Sequence, residues 1–219
     1  GILRDAGYQT ALVGREMHQL QNATQLGYQV SVLGSTYVTD DAYAAALKEA
    51  VPEIRDVRQW VEGLGLSYNH WQARAWPLRS DLHPTTWVIS QASRVLDDAA
   101  RNRPLFLTAS FYAPHPPLFP PPEYFESCLK RDLPQPARGD WVDWNAVTPA
   151  GSEGGHRVLL AGDRLRRAQA GYFGLIEQID REIEPLIAQF RARSENAGRP
   201  WVVILTSDHG ELLGDHGYF

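Results

Sequence analysis

The sequence predicts an α/β fold, a largely parallel sheet flanked by helices and incomplete at both ends. Three observations predict it. Short apolar runs at residues 10–14 (TALVG), 105–111 (LFLTASF) and 201–206 (WVVILT) have strand character. The last is nearly continuous, as in a strand buried on both faces. Stretches with apolar residues at helical spacing separate the runs, so the order is strand, helix, strand, helix, strand, which favours parallel crossovers.

Taken in order, residues 3–7 read as the end of a helix, with Gly7 as its C-terminal stop. The run at 10–14 is the first strand. Residues 15–80 are rich in Trp, Tyr and Gly and read as irregular, with one helical candidate at 40–50. Pro84-Thr85-Thr86 opens a helix whose apolar positions are Val88, Ile89, Ala92, Val95 and Leu96, and Asn102-Arg103-Pro104 breaks it. The strand at 105–111 runs into a proline-dense loop. Residues 130–160 carry Pro, Gly and Trp without period and read as a loop or insertion. The longest helix is expected over 161–193, with Ala170, Phe173, Ile176, Ile179, Ile183 and Leu186 or Ile187 on one face. Gly198-Arg199-Pro200 ends it before the third strand.

Composition narrows the partners. The net charge of −5 gives no broad basic surface for nucleic acid or an anionic membrane. No apolar run approaches the ~18 residues of a membrane span. The single cysteine, Cys128, excludes an intrachain disulfide, which favours a cytoplasmic setting. The chain opens on Gly1 without Met and stops at Phe219 directly after a motif, so both ends are expected to be cut.

Chemically able residues follow each predicted strand, where ligands bind in parallel sheets. Arg15 and His18 follow the first and can hold an anion between them. His115 follows the second, between Pro114 and Pro116-Pro117, which stiffen its loop. It is a candidate for hydrogen bonding to an oxyanion or for proton transfer to a leaving group. Asp208 and His209 follow the third, in Thr206-Ser207-Asp208-His209-Gly210-Glu211, as an oxygen and nitrogen ligand pair for a divalent cation. Gly210 is expected to turn the backbone sharply. Asp215-His216-Gly217 repeats the pattern: Asp215 reads as a residue of a loop packing against the site rim, and His216 as that or as a further ligand or a substrate contact. His70, His83 and His156 read as surface or structural residues, and Cys128 as inert.

These strings together resemble the sulfatases of the alkaline-phosphatase superfamily. Residues 3–14 look like the segment leading into that family's Gly-Lys-Trp-His motif, here Gly14-Arg15-Glu16-Met17-His18. Residues 106–117 (FLTASFYAPHPP) are similar to the strand ending in its substrate-binding histidine, residues 172–180 to the helix before its last core strand, and residues 206–217 to its late metal motif. The resemblance implies one partial sulfatase-like catalytic domain over 1–219, with 35–80 and 130–160 as loop or insertion regions. It implies His115 and His18 as catalytic, Arg15 and His216 as substrate-binding, and Asp208 and His209 as metal ligands. The implied metal is Ca²⁺ first, with Mn²⁺ or Zn²⁺ admitted by the imidazole.

The family's Cys-or-Ser, x, Pro, x, Arg string, the source of its formylglycine nucleophile, is absent from these 219 residues. It is expected upstream of Gly1, with the first strand and its paired aspartates. The implied activity of the intact protein is hydrolysis of a small-molecule sulfate monoester, or alternatively of a phosphate or phosphonate ester. The 219-residue chain alone is expected to be inactive, and a non-catalytic binding chain is the third reading. A missing first strand would leave an uncovered sheet edge and favour homo-oligomers.

Overall fold

The structure is a computed structural model that describes residues 1–16, 26–149 and 157–219, the side chains of 148 and 149 excepted. Its elements are α1 (Ile2–Asp5), β1 (Gln9–Gly14), β2 (Val30–Leu33), α2 (Ala42–Ala50), α3 (Val57–Gly63), α4 (Pro84–Asp98), β3 (Leu105–Ser110), α5 (Pro122–Leu129), β4 (Thr148–Pro149), β5 (Val158–Leu159) and α6 (Gly162–Asn196). The chain divides into two compact units. The first comprises Gly1–Arg58, Arg79–Tyr112 and Ile179–Leu205, and the second Gln59–Leu78, Ala113–Gln178 and Thr206–Phe219.

The first unit holds the parallel sheet, in the order β2-β1-β3. Apolar β1 takes the centre, with Ala11, Leu12 and Val13 almost wholly buried. Its register brings Gly14 level with both Leu33 and Ser110, so the carboxyl ends of all three strands form one rim. Gly14 has φ +101°, a left-handed backbone, and a Cβ there would stand 1.9 Å from the Ser110 carbonyl oxygen. That oxygen accepts from Arg15 N at 3.0 Å. Helix α4 packs on β1 and β3 and buries Trp87, Val88, Ala92 and Leu96. The C-terminal half of α6 is pinned to α4 by Thr86 donating to Glu182, by Ser93 donating to Gln189, and by Arg193 donating to the Ala99 and Ala100 carbonyls.

Strands β1 and β3 and helices α2, α4 and α6 lie where the pattern of the sequence puts them. The stretch 15–80 is less irregular than expected: it contains β2, α2 and α3. β2 gives no clear strand signal because it is only four residues long, exposed at Val30 and Ser31 and half-buried at Val32 and Leu33.

The expected third strand is overturned. Residues 201–206 join no ladder in the structure, and Val202, Ile204 and Leu205 are 71%, 77% and 89% exposed. A buried parallel strand needs a hydrogen-bonded neighbour, and this run has none among the described residues. Trp201 lies instead beneath the Arg191 guanidinium, 5.8 Å from it.

Loop 35–41, beyond β2, is braced from within. Asp41 caps α2, its carboxylate accepting Ala44 N at 2.8 Å and Ser35 N at 2.7 Å. Burial pushes the Asp41 carboxyl up from 3.8 to about 6, against the pull of those N–H bonds. The folded chain therefore holds this proton more tightly than the unfolded one. Stability is expected to fall as pH rises from 3.8 to about 6, then to level off. In thermal melts the wild type should lose ground to Asp41→Asn across that window; a constant gap between the two would contradict the assignment.

In the second unit, the described residues of the 130–160 stretch form a 3₁₀ turn at Trp144–Ala146 and the two-residue pair β4–β5. The N-terminal half of α6 buries Leu165, Ala168, Ala170, Leu175 and the polar Gln169 and Gln178. The expected face is therefore rotated: Ile176 is 40% exposed while Gln178 is wholly buried. Gly171 explains the offset, because a Cβ there would lie 2.7 Å from Ala73 Cβ and 2.9 Å from Leu118 Cβ. The helix thus turns its small residues inward and packs close to the 118–120 segment, at the expense of its larger apolar ones. Cys128 is buried beside Ala170, its Sγ 3.7 Å from Glu177 Oε2, and burial raises its thiol pKa, in keeping with an inert side chain. Among the described residues no helix is long and apolar enough to cross a membrane.

Candidate functional site

Arg15 leaves the rim of the sheet directly after β1. Its guanidinium rests on two rings at once, 4.4 Å from the Tyr112 centroid and 5.1 Å from that of Tyr37, and Arg58 lies 5.3 Å from the same Tyr37 ring. Glu16 next to it buries its Oε1 without a hydrogen-bond partner among the described residues. His18 and Met17 lie outside the described residues, as does His156.

In the second unit the proline loop and the late motif meet. Peptide bonds Ala113-Pro114 and Pro116-Pro117, both cis, flank His115. The His115 and His209 rings meet edge to face, 6.0 Å apart with a 71° interplanar angle. Each ring is tied by its own next residue: His115 Nδ1 lies 2.7 Å from the Pro116 carbonyl oxygen and His209 Nδ1 3.0 Å from that of Gly210. A carbonyl only accepts, so Nδ1 carries the proton in both, and each Nε2 of the neutral ring keeps its lone pair. The Gly210 carbonyl, then the charge of Asp208, raise the His209 pKa above its ordinary value.

Asp208 Oδ2 stands 3.8 Å from His209 Nε2, and Oδ1 accepts the His209 backbone N–H at 3.0 Å. Two donors each about 2.0–2.6 Å from one ion are separated by at most ~5 Å, so this pair fits a shared divalent cation. Among the described residues no group of three or more His, Cys, Asp or Glu converges on one point, so the fit is that of a partial donor set.

The repeated motif is tied to the 136–141 loop. Asp215 Oδ1 accepts Ala137 N at 2.7 Å, which is the packing role expected of it. His216 has φ +54°, accepts Gly139 N on Nδ1 at 3.1 Å and sets its ring 4.9 Å from Trp141. Gly210 is not among the positive-φ residues; the left-handed positions are Leu213, Gly214, His216 and Gly217, so the sharp turn expected at Gly210 falls a few residues later.

Several neighbours of the candidate residues escaped sequence reasoning. Tyr37 and Tyr112 hold Arg15, and Arg58 lies on the same Tyr37 ring, yet only the place of Tyr112 just after β3 could have pointed to one of them. Tyr172 supports the metal motif from α6: its hydroxyl lies beneath Gly210 and accepts the Glu211 N–H, while burial and the Glu211 charge push its pKa up. His83 proved wholly buried, its Nδ1 accepting Thr85 N at 3.2 Å to cap α4.

An arylsulfatase of Clostridium perfringens (strain 13 / Type A) is 30% identical over 232 residues, covering 98% of this chain and 46% of that protein. A multifunctional alkaline phosphatase superfamily protein, PehA, of Trinickia caryophylli is 32% identical over 134 residues, covering 52% of this chain and 25% of that protein. The phosphonate monoester hydrolase of Agrobacterium radiobacter shares the fold, with a TM-score of 0.69 at 21% identity over 98% of this chain and 47% of that one. The chain thus spans less than half the length of these relatives. The family model named Sulfatase matches residues 1–219, and the chain belongs to the sulfatase family.

Proposed function

We propose that the protein hydrolyses sulfate monoesters of small molecules with the help of a divalent cation, and that this chain supplies part of the metal and anion site. The observation that carries this reading is the Asp208–His209 pair, with Oδ2 and Nε2 at 3.8 Å and the imidazole tautomer set by Gly210. Asp208 and His209 would hold the cation, Ca²⁺ first, with Mn²⁺ or Zn²⁺ suited to the nitrogen donor. When bound, such a cation neutralises charge on the transferring group and lowers the pKa of the nucleophile.

The other residues act on the ester itself. His115 presents Nε2; protonated, that nitrogen donates to an ester oxygen or to the departing alcohol. Arg15 donates through its planar fork, and His18 shares its anion. His216, whose Nδ1 accepts a backbone N–H, carries its proton on Nε2 and would donate it to a substrate oxygen. The attacking group is expected to be a formylglycine, from a motif that these 219 residues do not contain.

Hydrolysis of phosphonate or phosphate esters is the second reading, favoured by the phosphonate monoester hydrolase fold at TM-score 0.69. Initial rates on para-nitrophenyl sulfate and on the para-nitrophenyl ester of phenylphosphonate, measured on the full-length protein, separate the two. The sulfate is expected to be the faster substrate, with turnover lost on chelation and in Asp208→Ala. A faster phosphonate would transfer the assignment to the second reading. Turnover that survives both chelation and Asp208→Ala would remove the metal site from either.

A further inference from the structure

The loop over residues 136–141 is fastened to the Asp215-His216 turn at several points. Asp215 Oδ1 accepts Ala137 N at 2.7 Å, His216 N donates to the Ala137 carbonyl at 2.8 Å, and His216 Nδ1 accepts Gly139 N at 3.1 Å. Pro136 packs on Gly214, where a Cβ would stand 3.0 Å from Pro136 Cγ. Loop and late motif thus hold one another in a fixed register, and both belong to the second unit.

This bracing ends on an indole. Trp141 folds back over Gly139: a Cβ there would fall 2.5 Å from Trp141 Nε1 and 2.9 Å from its Cδ1 and Cε2. The indole also stands 4.9 Å from the His216 ring, tilted by 43°. Held by both, Trp141 is still 68% exposed. Trp144, three residues on, shows the alternative: it is half-buried, it lies against the Gly217 turn, and the Arg138 guanidinium rests 4.0 Å from its ring. A tryptophan as open as Trp141 forgoes most of the stabilisation that burial of its area would give. A ring that is held still offers a flat face at little ordering cost.

His216 indicates what that face meets. Its Nδ1 is taken by Gly139 N, so the proton sits on Nε2, the nitrogen that donates to substrate in the proposed function. An oxygen accepting from Nε2 lies about 3 Å from it, and the group it carries comes beside the indole that flanks the same imidazole. That group is either the anion or the alcohol part of the ester. The face of an aromatic ring is the negative side of its quadrupole, so an anion gains nothing there, whereas a second ring stacks on it. Asp140 and Asp143, exposed on the same loop, outnumber Arg138 and disfavour an anion as well.

We propose that Trp141 is a specificity-determining residue that reads the alcohol part of the ester by stacking on an aromatic ring. The proposal rests on the reading that His216 contacts the ester. Binding reports on it without turnover. Calorimetric titration of the full-length protein would compare naphthalene-2-sulfonate with methanesulfonate, on the wild type and on Trp141→Ala, Trp141→Phe and Gly139→Ala.

The wild type is expected to bind the aromatic sulfonate about 5- to 100-fold more tightly, the range for one stacked ring. Trp141→Ala should remove most of that preference and leave methanesulfonate unchanged, while Trp141→Phe should keep most of it. Gly139→Ala should reduce it, because the new Cβ displaces the indole but spares the N–H that orients His216. On para-nitrophenyl sulfate, Trp141→Ala should raise KM with little change in kcat, the mark of binding that is lost equally from ground and transition states. Equal affinity for the two sulfonates in the wild type, or a preference that survives Trp141→Ala, would overturn the subsite and leave the ester-anion reading standing. Equal weakening of both ligands in Trp141→Ala, together with a lowered melting temperature, would assign the indole to packing and overturn the subsite too. A wild type that binds neither sulfonate would defeat the anion-site reading together with the subsite.

Discussion

Gly14→Ala is expected to unfold the chain or to lower its melting temperature by roughly 10 °C. The β1 backbone at this position is left-handed, and an added Cβ would fall 1.9 Å from the Ser110 carbonyl oxygen and 3.1 Å from Val88 Cγ2. A flexible side chain could swing aside, but a ladder carbonyl cannot. Ser110 O accepts Arg15 N at 3.0 Å, so moving it undoes the pairing of β1 with β3 where the strand turns into the site. Left-handed strain costs about 1–3 kcal/mol, and a lost ladder bond with its unsatisfied groups adds about 1–3 more. A sum of about 2–6 kcal/mol is a large share of the 5–15 kcal/mol typical of a domain, and its middle corresponds to the stated shift at about 2–4 °C per kcal/mol. Gly63→Ala is the control: its Cβ meets nothing within 4 Å and its φ is not positive, so it should be neutral or slightly stabilising. Thermal melts within about 1 °C of wild type for Gly14→Ala would show that the strand end is not fixed as described.

The largest effect on activity is expected at His115. His115→Ala should lower kcat/KM for an aryl sulfate by about 10²–10⁴-fold in the full-length protein, the range for removal of a positioned proton donor or oxyanion contact. The loss belongs in kcat if the imidazole acts on the departing oxygen, and it should then grow as the leaving alcohol becomes less acidic. Phenyl sulfate would therefore suffer more than para-nitrophenyl sulfate. Uniform losses across leaving groups would indicate oxyanion stabilisation instead. The melting temperature should barely change, because His115 is a half-buried loop residue outside the buried apolar cluster of Leu118, Leu165 and Leu175. Rates within twofold of wild type on both esters would exclude His115 from the chemistry.

The parts of the fold legible in the sequence are those whose pattern is local. An apolar run with glycine at its end marked β1, helical spacing after Pro84 marked α4, and the run at 105–111 marked β3. Residues 201–206 have the same look as β1 but not the same fate, because a strand is defined by its neighbour and a single apolar run carries no record of one. The face of α6 was missed for a related reason: Gly171 draws the helix close to Leu118, and hydrophobicity alone cannot register that a missing side chain attracts a partner. At the site, His115, Asp208 and His209 were legible because each sits beside a turn or proline that breaks a strand pattern, and the structure brings these three together. Arg15 was legible as a cation at a strand end, but its aromatic setting was not. Tyr37, Arg58 and Tyr112 come from three separate segments, and no spacing along the chain relates them.

His115 and His209 share one economy. Each imidazole hands its Nδ1 proton to the carbonyl of the very next residue, Pro116 or Gly210. Histidines in metal sites are oriented by a carboxylate, a backbone carbonyl or water, and a carboxylate is a partner that a mutation can remove. A peptide carbonyl has no side chain to lose. Which nitrogen faces outward is therefore inherited from the path of the backbone over two residues, and exchange of distant side chains would leave the tautomers of both rings as they are.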